Sequence, residues 1–256
     1  CIKAIQFMLR KRQFMALVNS LNGEKMKTAY LWEKGECETN EDSLVLQQAE
    51  TRVGTVTLAA VCDGVGGLKE GETASGYVAE MLIVWFYKEL IPMAQKHKKS
   101  KTIYRSVLKM LYEADEKLKE YGRKKGLRLG TTVTILFFIE RQFYLVHIGD
   151  SRVYEVRRKI KVLTKDDGDG KVLYRCIGAG KWEKPQWKHG KVRGKTGFLL
   201  CTDGFYKKLT REEIMVVTSP QCREEIGMEK RLKEAAERVK ERRMQDNVSA
   251  ISLRTD

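Results

Sequence analysis

The stretch TVTILFFI (residues 132–139), ER (140–141) and QFYLVHI (142–148) decides the fold. Two apolar runs rich in β-branched and aromatic residues are strand formers. A two-residue connection lets them pair only as antiparallel neighbours, because a parallel crossover needs a dozen residues or more. Working outward, Val153–Val156 and Lys161–Leu163 follow at short spacing and extend an antiparallel meander. Further strands are expected at Ser43–Gln47, Thr55–Cys62, Phe198–Cys201 and Val248–Leu253. Four segments read as helices: Glu72–Leu90, Thr102–Tyr121, Arg211–Val217 and Glu229–Met244. In the second of these, Val107, Leu108, Leu111, Ala114 and Leu118 mark one apolar face. The basic stretch Lys96–Lys101 is expected to be an exposed loop between two helices. Antiparallel strands with long helices predict a layered α+β domain.

Composition narrows the class. With 256 residues and 42% hydrophobic side chains, the chain can bury a sizeable core. Its longest apolar run, Met81–Tyr87, is far shorter than the roughly 18 residues of a membrane-spanning helix. The cysteines (Cys1, Cys37, Cys62, Cys176, Cys201 and Cys222) show no C-x-x-C spacing. That fits a reducing cytoplasm rather than a disulfide scaffold. A net charge of +15 bears on partners, not on fold, and suits acidic partners such as phosphoproteins. Ile2–Val18 reads as a basic amphipathic helix that packs on the domain or touches a membrane. The expected division is an N-terminal helical extension, residues 1–28, and a catalytic domain, residues 29–256.

The chemistry lies in aspartates at strand ends. The apolar run 56–62 enters Asp63-Gly64-Val65-Gly66-Gly67, and 198–202 enters Asp203-Gly204. A third strand ends in Gly149-Asp150-Ser151-Arg152, a fourth begins after Asp246-Asn247, and Glu41-Asp42 precedes a fifth. Any one Asp-Gly pair is an ordinary turn. Repeated at strand ends, where the sheet fixes the direction of each carboxylate, the pattern points to oxygen ligands for a hard divalent cation. Other motifs fail on chemistry. Residues 66–73 nearly spell a phosphate-binding loop, but Glu72 stands where Lys is required. Asp167-Gly168-Asp169-Gly170 hints at a calcium loop, but Lys171 replaces the next ligand, leaving a plain turn. No cysteine is followed six positions on by Arg, since Leu68 follows Cys62 and Lys207 follows Cys201.

The ordered set of segments resembles the metal-dependent protein phosphatases of type 2C in their bacterial form. The segments are Asn40-Glu41-Asp42-Ser43, Asp63 to Gly67 with Gly71-Glu72-Thr73-Ala74-Ser75, Gly130-Thr131-Thr132, Gly149 to Arg152, Leu163-Thr164, Cys201 to Gly204 and Asp246-Asn247. The resemblance implies two antiparallel sheets packed as a sandwich flanked by α-helices, with metals in the cleft. It implies hydrolysis of phosphoserine and phosphothreonine by a water activated between two cations, Mn²⁺ or Mg²⁺. Asp63 would bridge them, and Asp203 and Asp246 would complete one site, making these three the catalytic set. Glu41 and the Gly64 carbonyl would serve the other ion, Asp42 would hold metal-bound water, and Asp150 with Asp203 matches a third metal site.

Two departures stand out. Cys37 occupies the position, three before Asn40, where the family often carries a phosphate-binding Arg. The flap that bacterial members insert after Leu163-Thr164 is shortened to the turn at 166–170 before Leu173-Tyr174-Arg175. Implied partners are phosphorylated proteins and a cognate serine/threonine kinase, with no nucleic acid expected. Two readings compete: a phosphoprotein-binding pseudophosphatase, favoured by Cys37 and opposed by the full carboxylate set, and a nucleic-acid or membrane-surface binder, prompted only by the charge.

Overall fold

The computed structural model describes residues 26–65, 68, 70–169, 172–221 and 224–255. The expected helix at Ile2–Val18, and Cys1, Gly66, Gly67 and Cys222, lie outside the described residues. The strands are β1 (Lys27–Glu33), β2 (Ser43–Thr51), β3 (Gly54–Cys62), β4 (Val133–Ile139), β5 (Gln142–Ile148), β6 (Arg152–Val156), β7 (Ile160–Val162), β8 (Gln186–Lys191), β9 (Thr196–Cys201) and β10 (Val248–Thr255). The helices are α1 (Gly71–Trp85), α2 (Ile91–Gln95), α3 (Ser100–Lys125), α4 (Asp203–Tyr206), α5 (Arg211–Thr218) and α6 (Glu225–Glu241).

The hairpin forms as expected, with Ile139 opposite Gln142 and Glu140 turning at a φ of 53°. It sits inside a five-stranded sheet ordered β2-β3-β4-β5-β8. The second five-stranded sheet is ordered β1-β10-β9-β6-β7, and the pairings are antiparallel. The two sheets pack face to face. Ala59, Val61, Leu136 and Phe138 from one interdigitate with Val153, Phe198, Leu200 and Ile251 from the other. Alternate residues of the same strands, Leu58, Ala60, Ile135 and Phe137, turn outward under α1 and α3. On the far side Leu199, Cys201 and Ala250 pack under α5 and α6. This double burial explains why the central strands read as unbroken apolar runs rather than as alternating ones.

Three details differ from the sequence reading. The helix expected at Glu72–Leu90 stops as α1 at Trp85, passes through a π-helical turn at Phe86–Leu90 and continues as α2. Pro92 has no N–H to donate back into this continuous helix, and the π-helical turn ends just before it. β1 and β8 were not expected. Both are edge strands, and β8 (QWKHGK) has no apolar alternation to betray it. The division expected after residue 28 falls within β1, whose Ala29 and Leu31 belong to the core beneath α6. Among the described residues of 163–185 there are isolated β-bridges and no helix, in keeping with a shortened flap.

Candidate active site

Antiparallel pairing brings the C-terminal ends of β3, β5 and β9 and the N-terminal ends of β2 and β10 to one end of the sandwich. Asp63, Asp150 and Asp203 therefore meet, each offering a carboxylate oxygen within 4.8 Å of the others. The backbone of Asp63 is clamped on both sides. Its N–H donates to Thr132 Oγ1 at 3.0 Å, and its carbonyl accepts from the Thr131 hydroxyl and the Thr132 N–H, each at 2.8 Å. Asp150 is set by the Gly149 turn, whose N–H donates to Asp167 Oδ2 at 3.0 Å. The sequence reading took Asp167 for a plain turn residue. In the structure its carboxylate fixes this turn and pairs with Arg175.

Asp246 lies beside this trio rather than within it. Its field acts on Asp63, Asp42 and Glu41, and it is itself pushed up by burial and by Asp203. Asn247 holds the neighbouring loop: its Oδ1 accepts from the Glu41 N–H at 2.8 Å, and its Nδ2 donates to the Lys34 and Thr39 carbonyls. Glu41 packs between Gly64 and Gly71. A Cβ on Gly64 would lie 2.8 Å from the Glu41 Cβ, so only glycine fits this close approach. Asp42 is buried and accepts from Thr202 Oγ1 at 3.1 Å. Cys37 sits in the loop held by Asn247, and burial with the fields of Asp246, Glu41 and Asp42 pushes its thiol up.

Electrostatics shows what the arrangement demands. Burial, then repulsion by Asp42, Asp203, Asp246 and Asp150, raises the Asp63 carboxyl far above its usual range. Asp150 is pushed up to about 6 by burial and by Asp203, and Asp42 to about 7, chiefly by burial. Among the described residues, the cation that touches the cluster is Lys207, whose Nζ lies 2.5 Å from Asp203 Oδ2. Burial opposes its charge, but the Asp203 bond and the Asp203, Asp150 and Asp246 fields offset this and leave its pKa raised. Sequence reading missed Lys207. Its signal was the four-residue spacing from Asp203 on a helix, which places both on one face. One lysine cannot neutralise this many converging carboxylates. Their all-oxygen, anionic donor set fits hard divalent cations such as Mg²⁺ or Mn²⁺.

A family model described as "Protein phosphatase 2C" matches residues 36–251. The chain belongs to the protein phosphatase 2C family. Within it, the integrin-linked kinase-associated serine/threonine phosphatase 2C of Bos taurus is 26% identical over 227 residues, covering 70% of this chain and 60% of that protein. The chain thus spans about 60% of the length of this curated relative. The phosphatase PstP/Ppp of Mycobacterium tuberculosis is 25% identical at a TM-score of 0.72, covering 90% of this chain and 99% of that one. A PstP catalytic domain solved in complex with 2 manganese ions superposes equally well, with a TM-score of 0.72. The S. agalactiae serine/threonine phosphatase shares the fold at a TM-score of 0.75 and 19% identity, covering 91% of this chain and 100% of that one.

Proposed function

We propose that the chain is a metal-dependent phosphoprotein serine/threonine phosphatase of the bacterial type 2C form. The observation that carries this is the meeting of Asp63, Asp150 and Asp203 oxygens at one end of the sandwich. Family membership and the two manganese ions of the PstP relative support it. Asp63, Asp203 and Asp246 would hold the core ions, with Glu41 and the Gly64 carbonyl serving the second. Asp42 is assigned to the surrounding water, and Asp150 to a third, weaker ion. When bound, such cations would supply Lewis acidity and lower the pKa of a water at the site. The protein's own part is positional: Thr131 and Thr132 fix Asp63, and Asn247 sets the Glu41 loop. The same reading places the protein in the cytoplasm, acting on targets of a cognate kinase, with residues before Lys27 as an N-terminal extension. No helix among the described residues is long and apolar enough to cross a membrane.

Hydrolysis of p-nitrophenyl phosphate and of a phosphothreonine peptide is expected with Mn²⁺ or Mg²⁺ and not with excess chelator. Independently of turnover, Mn²⁺ at a hundred times its Kd should stabilise the fold by about 2.7 kcal/mol. That corresponds to a rise of roughly 5–10 °C in Tm for a domain of this size. Full turnover in chelator, or a Tm indifferent to Mn²⁺, contradicts the metal assignment. A binding-only pseudophosphatase, which Cys37 favours, would show the Tm rise without turnover.

Cys37 also bears on substrate capture. An Arg there would add charge-assisted hydrogen bonds to the phosphoryl group, worth about 1.5 kcal/mol or more, on the order of tenfold. Cys37→Arg is therefore expected to lower KM for small phosphates while changing kcat less. Steady-state kinetics on the aryl phosphate decides it. An unchanged KM means that another cation, such as Lys34, already fills the role.

A further inference from the structure

A second cleft opens against the wall of the carboxylate cluster. It is a cavity of about 650 Å³ between β6–β7 and α4–α5. Its lining is of two kinds. Ile160 and Val162 supply an apolar side, and Arg152, Lys161, Lys207 and Arg211 supply a cationic one. Tyr206 joins the two: its hydroxyl donates to the Asp150 carbonyl at 3.1 Å, and the Arg152 guanidinium lies 4.1 Å from its ring centroid. Lys207 is likewise shared, since it lines the cleft and touches Asp203. The cleft therefore begins one side chain away from the carboxylates. Two further clefts, of about 300 Å³ and 460 Å³, share no residue with the cluster or with the side chains touching it.

The four cations are not equally committed, and Lys161 is exposed on β7. Arg152 is held by Asp166 through Nε and Nη2, and Lys207 by Asp203. Arg211 makes a single hydrogen bond, from Nη2 to the Ile160 carbonyl at 3.1 Å, and has no acidic partner among the described residues. A guanidinium carries five N–H donors in a planar fork suited to carboxylate and phosphate. Most of that fork is left for a ligand. Val162, 43% exposed, lies opposite Tyr154 in the β6–β7 register and leaves apolar surface beside the charge. Apolar surface next to an unpaired guanidinium fits a side chain with a short aliphatic stem and an anionic end.

We infer that this cleft is a substrate subsite for an anionic side chain, a carboxylate or a second phosphoryl group, flanking the phosphorylated residue. The inference rests on the reading of the neighbouring carboxylates as the phosphoryl site. Binding there would orient the substrate chain across the cleft in place of contacts that a longer flap could offer.

The test uses the full chain with Mn²⁺ and sets of phosphothreonine peptides. Within each set the peptides differ at one flanking position: Ala, Glu or phosphoserine. The expected result is a kcat/KM about three- to tenfold higher for Glu or phosphoserine than for Ala at one position, carried mainly by KM. Arg211→Glu should abolish that preference and Arg211→Lys should retain most of it. Val162→Glu, a surface change that leaves the Arg211 bond to Ile160 intact, should also abolish it by repelling the anion. A gain from both Glu and phosphoserine assigns a general anion subsite, and a gain from phosphoserine alone assigns it to doubly phosphorylated substrates. Turnover of p-nitrophenyl phosphate and of all peptides without anion preference overturns the subsite alone, as does a preference surviving in both Arg211→Glu and Val162→Glu. Absence of all turnover overturns the phosphatase reading as well.

Discussion

Asp63→Asn is expected to cut phosphatase turnover by at least roughly 10²–10³-fold, the scale on which loss of a single transition-state stabilising group is felt. Asp63 is the residue that Asp42, Asp203, Asp246 and Asp150 all bear on, and its proposed place is between the two core ions. The amide keeps the shape but removes the charge. The same change should act on stability in the opposite direction. Without metal, Asp63, Asp150 and Asp42 all have raised pKa values, so the folded state binds protons more tightly than the unfolded chain does. Groups of that kind contribute stability at low pH and lose it as pH rises from the usual carboxylate range near 4 through about 6 and 7. In chelator at neutral pH, Asp63→Asn should therefore melt no lower than wild type, and the gap in its favour should shrink on acidification. With Mn²⁺ the order reverses, because the variant loses most of the metal-induced rise in Tm. Melting curves at pH 5 and pH 7.5, with and without Mn²⁺, separate these effects. A variant that keeps both its turnover and its full Mn²⁺-induced shift would remove Asp63 from the metal site.

The second large effect is structural. Gly204 follows Asp203 at the start of α4, and a Cβ built there would lie 2.1 Å from the Asn247 carbonyl oxygen and 3.1 Å from the Asp246 Cβ. Helix propensity alone would reward Gly204→Ala by at most about 1 kcal/mol. The clash is with backbone, which cannot rotate away, so α4 and the 246–247 segment preceding β10 must separate. Overpacking of this kind costs about 1–3 kcal/mol or more. It also pulls Asp203 from Asp246, so Mn²⁺ affinity should fall by about ten- to a hundredfold, as when supports of metal ligands are lost. Gly76 in α1 is the contrast. The nearest atom to its Cβ would be Ser43 Oγ at 4.0 Å, so Gly76→Ala should stabilise by up to about 1 kcal/mol. Urea unfolding of the two variants, with Mn²⁺ titrations, reads both. Wild-type stability and affinity in Gly204→Ala would show that α4 does not pack on Asp246 and Asn247 as described.

The local pattern was enough for the hairpin at 132–148, for Asp63, Asp150 and Asp203 at strand ends, and for a sandwich-like α+β class by resemblance. Each of these is written within a few residues: apolar runs, a two-residue turn, a carboxylate followed or preceded by glycine. Even so, a short apolar run does not say which strand lies beside which. The meeting of Asp63, Asp150 and Asp203 within 4.8 Å depends on β3, β5 and β9 ending at the same rim, over separations of 87 and 53 residues (150 − 63 and 203 − 150). Strand β8 escaped notice because QWKHGK carries no apolar alternation, and β1 because only Ala29 and Leu31 of its seven residues are buried. Lys207, Asp167 and Asn247 looked like ordinary surface, turn and motif residues until the fold set them against Asp203, Gly149 and Glu41. The cleft between β6–β7 and α4–α5 has no sequence signature, since its walls come from segments about 50 residues apart. Which residue types stand at the strand ends, and hence the hard-cation chemistry they suit, can be read locally along the chain. Where the charges meet, and that Arg211 lines a cleft beside them without an acidic partner among the described residues, follow from the packing, because Coulomb fields and burial depend on distance in space.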